Sequence, residues 1–160
     1  MRVRLAQDQD AESITALINV AFKAAEGFLM DRDRITLESV RSLLQTGEFL
    51  LAEDVLGASG GTLPGCVYVE LRGERAYLGL LSVDLSLQKS GLGSALMNAA
   101  EEYCARAGCR FMDLQLINLR EELPGFYRRR GYVETGVAPL TPGITPKFPC
   151  HFVRMSKTLA

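Results

Sequence analysis

The chain has 160 residues, 48% hydrophobic and 23% charged, enough to bury one continuous core in a domain of ordinary size. This balance excludes collagen, coiled coil and wholesale disorder. A formal net charge of −1 supplies no global field that would concentrate nucleic acid or an acidic membrane at the surface. The longest nearly apolar stretch, Tyr77 to Val83, is far short of the roughly 20 residues of a bilayer-spanning helix. Met1 to Asp10 lacks the apolar centre of an export signal, so a cytoplasmic protein without membrane or nucleic-acid partners is expected.

In chain order, a short strand at Val3 to Leu5 leads to Asp8 and Asp10, either of which suits the cap of a helix with Ile14, Leu17, Ile18, Ala21 and Phe22 on its apolar face. Gly27 ends that helix. A second helix is predicted from about Thr36 to Gln45, with Gly47 at the position of a C-terminal glycine. Strands follow at Glu48 to Glu53, Gly65 to Arg72 and Arg75 to Val83, the last two joined by Gly73-Glu74, a connection of the Gly-first kind that makes a tight hairpin. A third helix runs from Gly91 to Ala107 and stops at Gly108. A strand from Arg110 to Ile117, a short helix around Glu121 to Arg130, and strands near Tyr132 to Val137 and His151 to Met155 complete the order.

The sum is an α/β (α+β) domain spanning residues 1–160, with a mixed, mostly antiparallel sheet of about seven strands flanked by about four helices. The glycine-rich break at Gly57 to Gly65 and the proline-rich one at Pro139 to Pro149 read as loops inside that domain. Cys66, Cys104, Cys109 and Cys150 form no C-x-x-C pair, and His151 is the only histidine. They make a poor metal set, and buried reduced thiols are expected. The run Arg128-Arg129-Arg130 has no companion basic cluster and reads as a solvated helix face.

The segment that carries chemistry is Ser82-Val83-Asp84-Leu85-Ser86-Leu87-Gln88-Lys89-Ser90-Gly91-Leu92-Gly93-Ser94, a strand, a loop, and glycines opening a helix. Glycine lets backbone approach a phosphate closely, while the unpaired N–H groups and positive dipole end of the first helical turn face it. Lys89 adds a point charge. A dinucleotide fingerprint is excluded because Leu96 stands three residues beyond Gly93, and a P-loop because no Gly-Lys-Ser/Thr follows.

Gln88-Lys89-Ser90-Gly91-Leu92-Gly93 resembles the Gln/Arg-x-x-Gly-x-Gly/Ala signature of the GNAT superfamily of acyl-CoA-dependent N-acyltransferases. The Leu81 to Asp84 strand end, the Phe126-Tyr127 to Gly131-Tyr132 segment and the closing Met155 to Leu159 resemble that family's other landmarks. The resemblance implies acetyl-CoA as cosubstrate, transfer to the primary amine of a small molecule or peptide without a covalent enzyme intermediate, and a family habit of forming homodimers. It implies that backbone groups of Leu81, Ser82 and Val83 hold the pantetheine arm and thioester carbonyl, and that Gln88 with the amides from Lys89 through Ser90, Gly91, Leu92 and Gly93 to Ser94 cradles the pyrophosphate. Tyr127 falls where the family places the acid that protonates the departing thiolate.

Two departures qualify that picture. Arg120 stands where the family carries a pantetheine-binding Asn, with Asn118 nearby as a substitute. The strand Arg75 to Val83 offers no acid or histidine to deprotonate the amine. If Gly73-Glu74 is a two-residue turn, Glu70 pairs with Tyr77 and shares a face with Gly79, Leu81 and Val83, which makes Glu70 the expected base. His151 is its rival or a substrate contact. Glu26, Asp31 and Asp33 lie on the loop that lines the acceptor side in such folds and would attract a cationic amine. The alternative reading is a CoA-binding regulatory domain with reduced turnover, which the missing base and Arg120 motivate.

Overall fold

The computed structural model describes residues 2–30, 32–53, 63–141 and 144–159. Asp31, most of the Gly57 to Gly65 break, and Pro142 and Gly143 lie outside the described residues. Strands β1 (Arg2–Leu5), β2 (Glu48–Glu53), β3 (Gly65–Arg72), β4 (Arg75–Val83), β5 (Phe111–Ile117), β6 (Val133–Ala138) and β7 (Phe152–Thr158) form one sheet in the order β1-β2-β3-β4-β5-β7-β6. Every pairing is antiparallel except β4 with β5. Helices α1 (Ala11–Glu26) and α2 (Leu37–Thr46) accompany one core, and α3 (Leu92–Arg106) and α4 (Glu122–Arg129) the other. The expected seven strands and four helices are all present, and no helix among the described residues is long and apolar enough to cross a membrane.

The two cores follow from period-2 alternation in the central strands. Val67, Val69, Ala76 and Leu78 pack with Leu92, Leu96, Met97 and Ala100 of α3, while Cys66 and Tyr68 pack with Ile14, Leu17 and Ile18 of α1 and Val40 of α2. Three cysteines, Cys66, Cys104 and Cys109, are buried, Cys150 is half-buried, and all four are free thiols.

Helix ends deviate from expectation in two instructive places. Asp10 does not cap α1; its carboxylate accepts the Gln7 N–H at 2.8 Å and a paired contact from Arg4 at 2.9 Å, fixing the 3-10 turn ahead of the helix. Gly47 follows α2 with an extended backbone (φ −156°) and not the left-handed one of a C-terminal glycine. A Cβ there would lie 2.5 Å from the Tyr68 hydroxyl and 2.5 Å from the Val69 carbonyl, so close approach selects glycine. At Gly108, by contrast, φ is +97°, and the expected left-handed stop of α3 is present.

The β3–β4 hairpin decides the site. Gly73 has φ +69° and Arg72 pairs with Arg75, so the Gly-first turn sets Leu71 opposite Ala76 and Glu70 opposite Tyr77 as expected. The register then changes: Tyr68 pairs with Gly79 but Cys66 with Ser82, which leaves an extra residue in β4. Leu80 carries the irregularity at φ +57°, a conformation costing a non-glycine residue roughly 1–2 kcal/mol. Beyond this bulge Leu81 and Val83 pack into the α3 core, whereas Tyr77 and Leu80 pack against the α1 core. Glu70 therefore does not share a face with Leu81 and Val83, and that expectation is corrected.

Candidate active site

β4 and β5 pair over only three positions, Arg75–Tyr77 with Phe111–Asp113, and then part. From Leu78 to Val83 the β5-facing edge of β4 has no strand against it, while β5 continues to Ile117 with β7 on its far side. The gap opens a cavity of about 1260 Å³ between Tyr77–Val83 on one wall and Leu114–Ile117 on the other. Typical small-ligand pockets hold about 300–1,000 Å³, so this cavity has room for two substrates side by side.

At one end of the cavity lies the start of α3. Gly91 occupies the N-cap at φ +89°, no side chain caps the helix, and the first helical bond is Ala95 N–H to the Gly91 carbonyl at 3.0 Å. The N–H groups of Leu92, Gly93 and Ser94 therefore lack an intrahelical acceptor. Lys89 is itself left-handed at φ +64°, which turns the loop so that Gln88, Lys89, Gly91, Gly93 and Ser94 all line the cavity. An uncapped helix end facing a large cleft, beside Lys89 and the exposed Arg129, fits the phosphates of a nucleotide-bearing cosubstrate. Ser90 and Leu92 do not line it: the Ser90 hydroxyl turns back to the Leu87 carbonyl, and the Leu92 side chain is buried in the α3 core.

In the middle of the cavity Leu81, Ser82 and Val83 face Tyr127 and Arg120. Tyr127 is buried on α4 between the rings of Phe126 at 5.1 Å and Tyr132 at 5.7 Å. Burial pushes its phenol up to about 12, against the pull of Arg120 and Arg130, so the hydroxyl keeps its proton. It makes no hydrogen bond with any described residue, and its proton is available to a ligand. Arg130 is turned inward to Asn98 and Glu101, Arg128 pairs with Glu134, and only Arg129 faces the cavity. The arginine run is thus three different environments and not one solvated face.

Arg120 lines the cavity as an ion-pair centre. One guanidinium nitrogen donates to Glu26 at 2.9 Å and Nε donates to Glu122 at 2.7 Å. Glu26 and Arg120 side chains are only 10% and 16% exposed, so Arg120 holds the end of α1 to the start of α4. Asn118 lies outside the cavity lining, where its side-chain oxygen accepts the His151 N–H at 2.9 Å and its own N–H bonds the His151 carbonyl at 2.9 Å. These two bonds extend the β5–β7 ladder by one residue pair.

His151 is exposed and does not line the cavity, nor does Glu70. The Glu70 carboxylate accepts Arg72 Nε at 2.5 Å and the Tyr68 hydroxyl at 2.8 Å. Arg72 first, then Tyr68, hold it below the usual carboxylate range, which makes it a weaker base than a free glutamate. The structure thus brings together eleven of the expected residues, Glu26, Asp33, Leu81, Ser82, Val83, Gln88, Lys89, Gly91, Gly93, Ser94 and Tyr127, with Arg120 as a twelfth. It adds Phe22 and Tyr77, which sequence reading missed as site residues, together with Met30, Arg34, Leu140 and Ile144.

The sequence model described as "Acetyltransferase (GNAT) domain" matches residues 45–134. The chain belongs to the GNAT acetyltransferase family. The matched span contains β2 to α4, and so the whole hairpin, cradle and Tyr127. Among curated relatives, the uncharacterized protein YdhI of Bacillus subtilis is 29% identical over 79 residues, which is 49% of this chain and 48% of YdhI. The chain thus matches about half the length of that relative. Solved structures with the same fold include ribosomal-protein-alanine N-acetyltransferase from Brucella melitensis (16% identity, 99% of each chain, TM-score 0.77). Another is an aminoglycoside 6′-N-acetyltransferase complexed with coenzyme A (18% identity, 100% of this chain and 98% of that one, TM-score 0.77).

The Arg120 pairing carries a stability consequence. Arg120→Ala strands the Glu26 carboxylate in a nearly buried place and is expected to cost about 1–3 kcal/mol in urea unfolding. Adding Glu26→Gln to that variant should restore part of the loss, a non-additivity that marks a direct pair. An unchanged urea midpoint for Arg120→Ala contradicts the bridging role.

Proposed function

We propose that residues 1–160 act as one N-acetyltransferase domain that moves an acetyl group from acetyl-CoA to the primary amine of a small molecule or peptide. The observation that carries this reading is the uncapped α3 N-terminus opening into the same cleft as the Tyr127 hydroxyl. The amides of Leu92, Gly93 and Ser94, with Gln88, Lys89 and Arg129, would hold the pyrophosphate. The free edge of β4 at Leu81, Ser82 and Val83 would hold the pantetheine as an added strand. Acetyl-CoA supplies an activated thioester, and the chain's part is orientation and proton management.

In the transfer, the neutral amine nitrogen bonds to the thioester carbonyl carbon and the carbon–sulfur bond breaks. Tyr127 gives its proton to the sulfur and is refilled by the proton that the nitrogen releases, so the site returns to its starting state. With Glu70 and His151 outside the cleft, the ammonium's first proton leaves to water at the cavity mouth.

Three experiments test this. Gly91→Val places a β-branched residue at φ +89° and should abolish the rise in Tm that CoA produces by mass action; retained CoA binding removes the cradle assignment. Tyr127→Phe keeps the ring but not the proton. It should lower kcat by about 10²-fold or more with CoA affinity within a few fold, and equal turnover removes Tyr127 from the acid role.

The third concerns pH. Tyr127 stays protonated to about 12, and Glu70 is ionised throughout the neutral range because its pKa is lowered. The log of kcat/KM should therefore climb with unit slope to the amine's own pKa and then level off, unchanged in Glu70→Gln and His151→Gln. A loss of kcat/KM on the acid limb of either variant, shrinking as the pH approaches the amine's own pKa, would return the base role to that residue. The second reading, a CoA-binding domain with little turnover, is favoured by the lack of a carboxylate base on β4. It is supported instead if CoA binds and no amine in a broad panel consumes the thioester.

A further inference from the structure

The end of the cavity remote from the α3 cradle is built by α1 and the residues after it. Among the described residues there, Lys23, Arg32, Arg34 and Arg120 stand against Glu26, Asp33 and Glu122, and Arg120 is paired with both glutamates. Among these described residues the basic groups outnumber the acidic ones, opposite to what a polycationic acceptor requires. Tyr77 marks this end: it is the last β4 residue paired with β5, and about 20 Å of strand separates it from Val83.

Arg34 and Tyr77 stand out within this wall. The Arg34 guanidinium lies 5.3 Å from the Phe22 ring centroid and makes no hydrogen bond or ion pair with a described residue. Tyr77 lies along β4 over Gly79, where a Cβ would stand only 3.2 Å from its hydroxyl, and that hydroxyl has no hydrogen-bond partner among the described residues. Arg72 is closed off by Glu70 although its guanidinium sits 4.8 Å from the Tyr77 ring. Tyr77 and Arg34 line the same cavity, and Tyr77 packs against the same α1 core as Phe22, the ring on which Arg34 rests. Both groups are donors at neutral pH, and neither has an acceptor among the described residues.

We infer that the acceptor is a primary amine carrying an anionic group, a carboxylate or phosphonate, and that Arg34 and the Tyr77 hydroxyl bind that group. A guanidinium fork beside a phenol matches two oxygens of one anion. The ring of Phe22 beneath Arg34 preorganises the fork, which limits the entropy lost on binding. With the anion held at the α1 wall, the amine end points along β4 toward the Leu80 bulge and the free strand edge where the thioester would lie.

This inference rests on the acetyl-transfer reading. The test compares kcat/KM for L-amino acids, β-alanine and 2-aminoethylphosphonate with the corresponding amides, with ethanolamine and with putrescine, each corrected for its free-base fraction. At least one anionic amine should exceed its neutral match by about tenfold or more, and Arg34→Ala should lower that ratio about tenfold. Tyr77→Phe should lower it several-fold, Arg34→Lys should keep part of it, and Arg34→Glu should move the preference to putrescine. Because the readout is a ratio within one variant, partial loss of folded protein does not affect it. No preference for any anionic amine, or a ratio unmoved by Arg34→Ala, overturns the inference. Absence of a CoA-induced rise in the parent's Tm overturns the acetyl-transfer reading itself, while which anion is preferred separates carboxylate from phosphonate.

Discussion

Everything in the site depends on β4 and β5 letting go of one another after Tyr77 and Asp113. A sheet is held by its ladder of backbone bonds, and an abandoned edge costs free energy unless something satisfies it. Here the two strands diverge while each stays anchored on its other side, β4 by β3 and β5 by β7. The result is a cleft whose walls are rigid because they remain members of a sheet, and whose floor is an unused strand edge. An extended ligand arm is a natural partner for such an edge, since it supplies the missing backbone-like bonds.

The bulge at Leu80 places different chemistry on the two sides of that cleft. Without it, β4 would alternate regularly, and Leu81 and Val83 would face α1 together with Tyr77. With it, Tyr77 and Leu80 line the α1 side and Leu81 and Val83 pack toward α3. The strained leucine backbone is tolerated because both flanking segments are fixed, by the Gly73 turn below and by the Gly65–Val83 pairing above. This feature was not legible in the sequence. Bulges are usually marked by glycine, and the glycine in β4 is Gly79, which instead makes room for the Tyr77 ring. Period-2 reasoning from the correct turn carried Glu70 to the right partner and then to the wrong face.

Legibility elsewhere followed locality. Strand limits of β2, β3 and β4, the Gly73-Glu74 turn, the left-handed Gly108 and the opening of α3 by glycines depend on neighbouring residues and were readable. Asn118, His151 and Glu70 needed tertiary information. Whether Asn118 reaches the cleft depends on where β7 begins, and it spends its side chain on the His151 backbone. Arg120 binds Glu26, 94 positions away in sequence, a pairing that no local pattern announces. Gly47 was read as a helix stop and is a contact glycine, a distinction that only the position of Tyr68 reveals.

The same split between local and distant determinants bears on how the cleft can change. Its α3 end is made largely of backbone, the amides of α3 and the edge of β4, whose course is set by φ at Gly91 and Lys89. Its other end is made of side chains from α1, the residues that follow it, and Leu140, Thr141 and Ile144; nearby, the Lys147 N–H bonds the Leu29 carbonyl at 2.7 Å and ties the two segments together. Much of the charge at that end is carried by Arg32, Asp33 and Arg34, which lie outside any ladder or helix. Exchanging one arginine for a neutral residue there leaves the strand edge, the bulge and the cradle intact. The side chains of the α1 end are therefore physically separable from the α3 N-terminus and the β4 edge, and Arg120 is the exception, because its guanidinium lines the cleft while also joining α1 to α4.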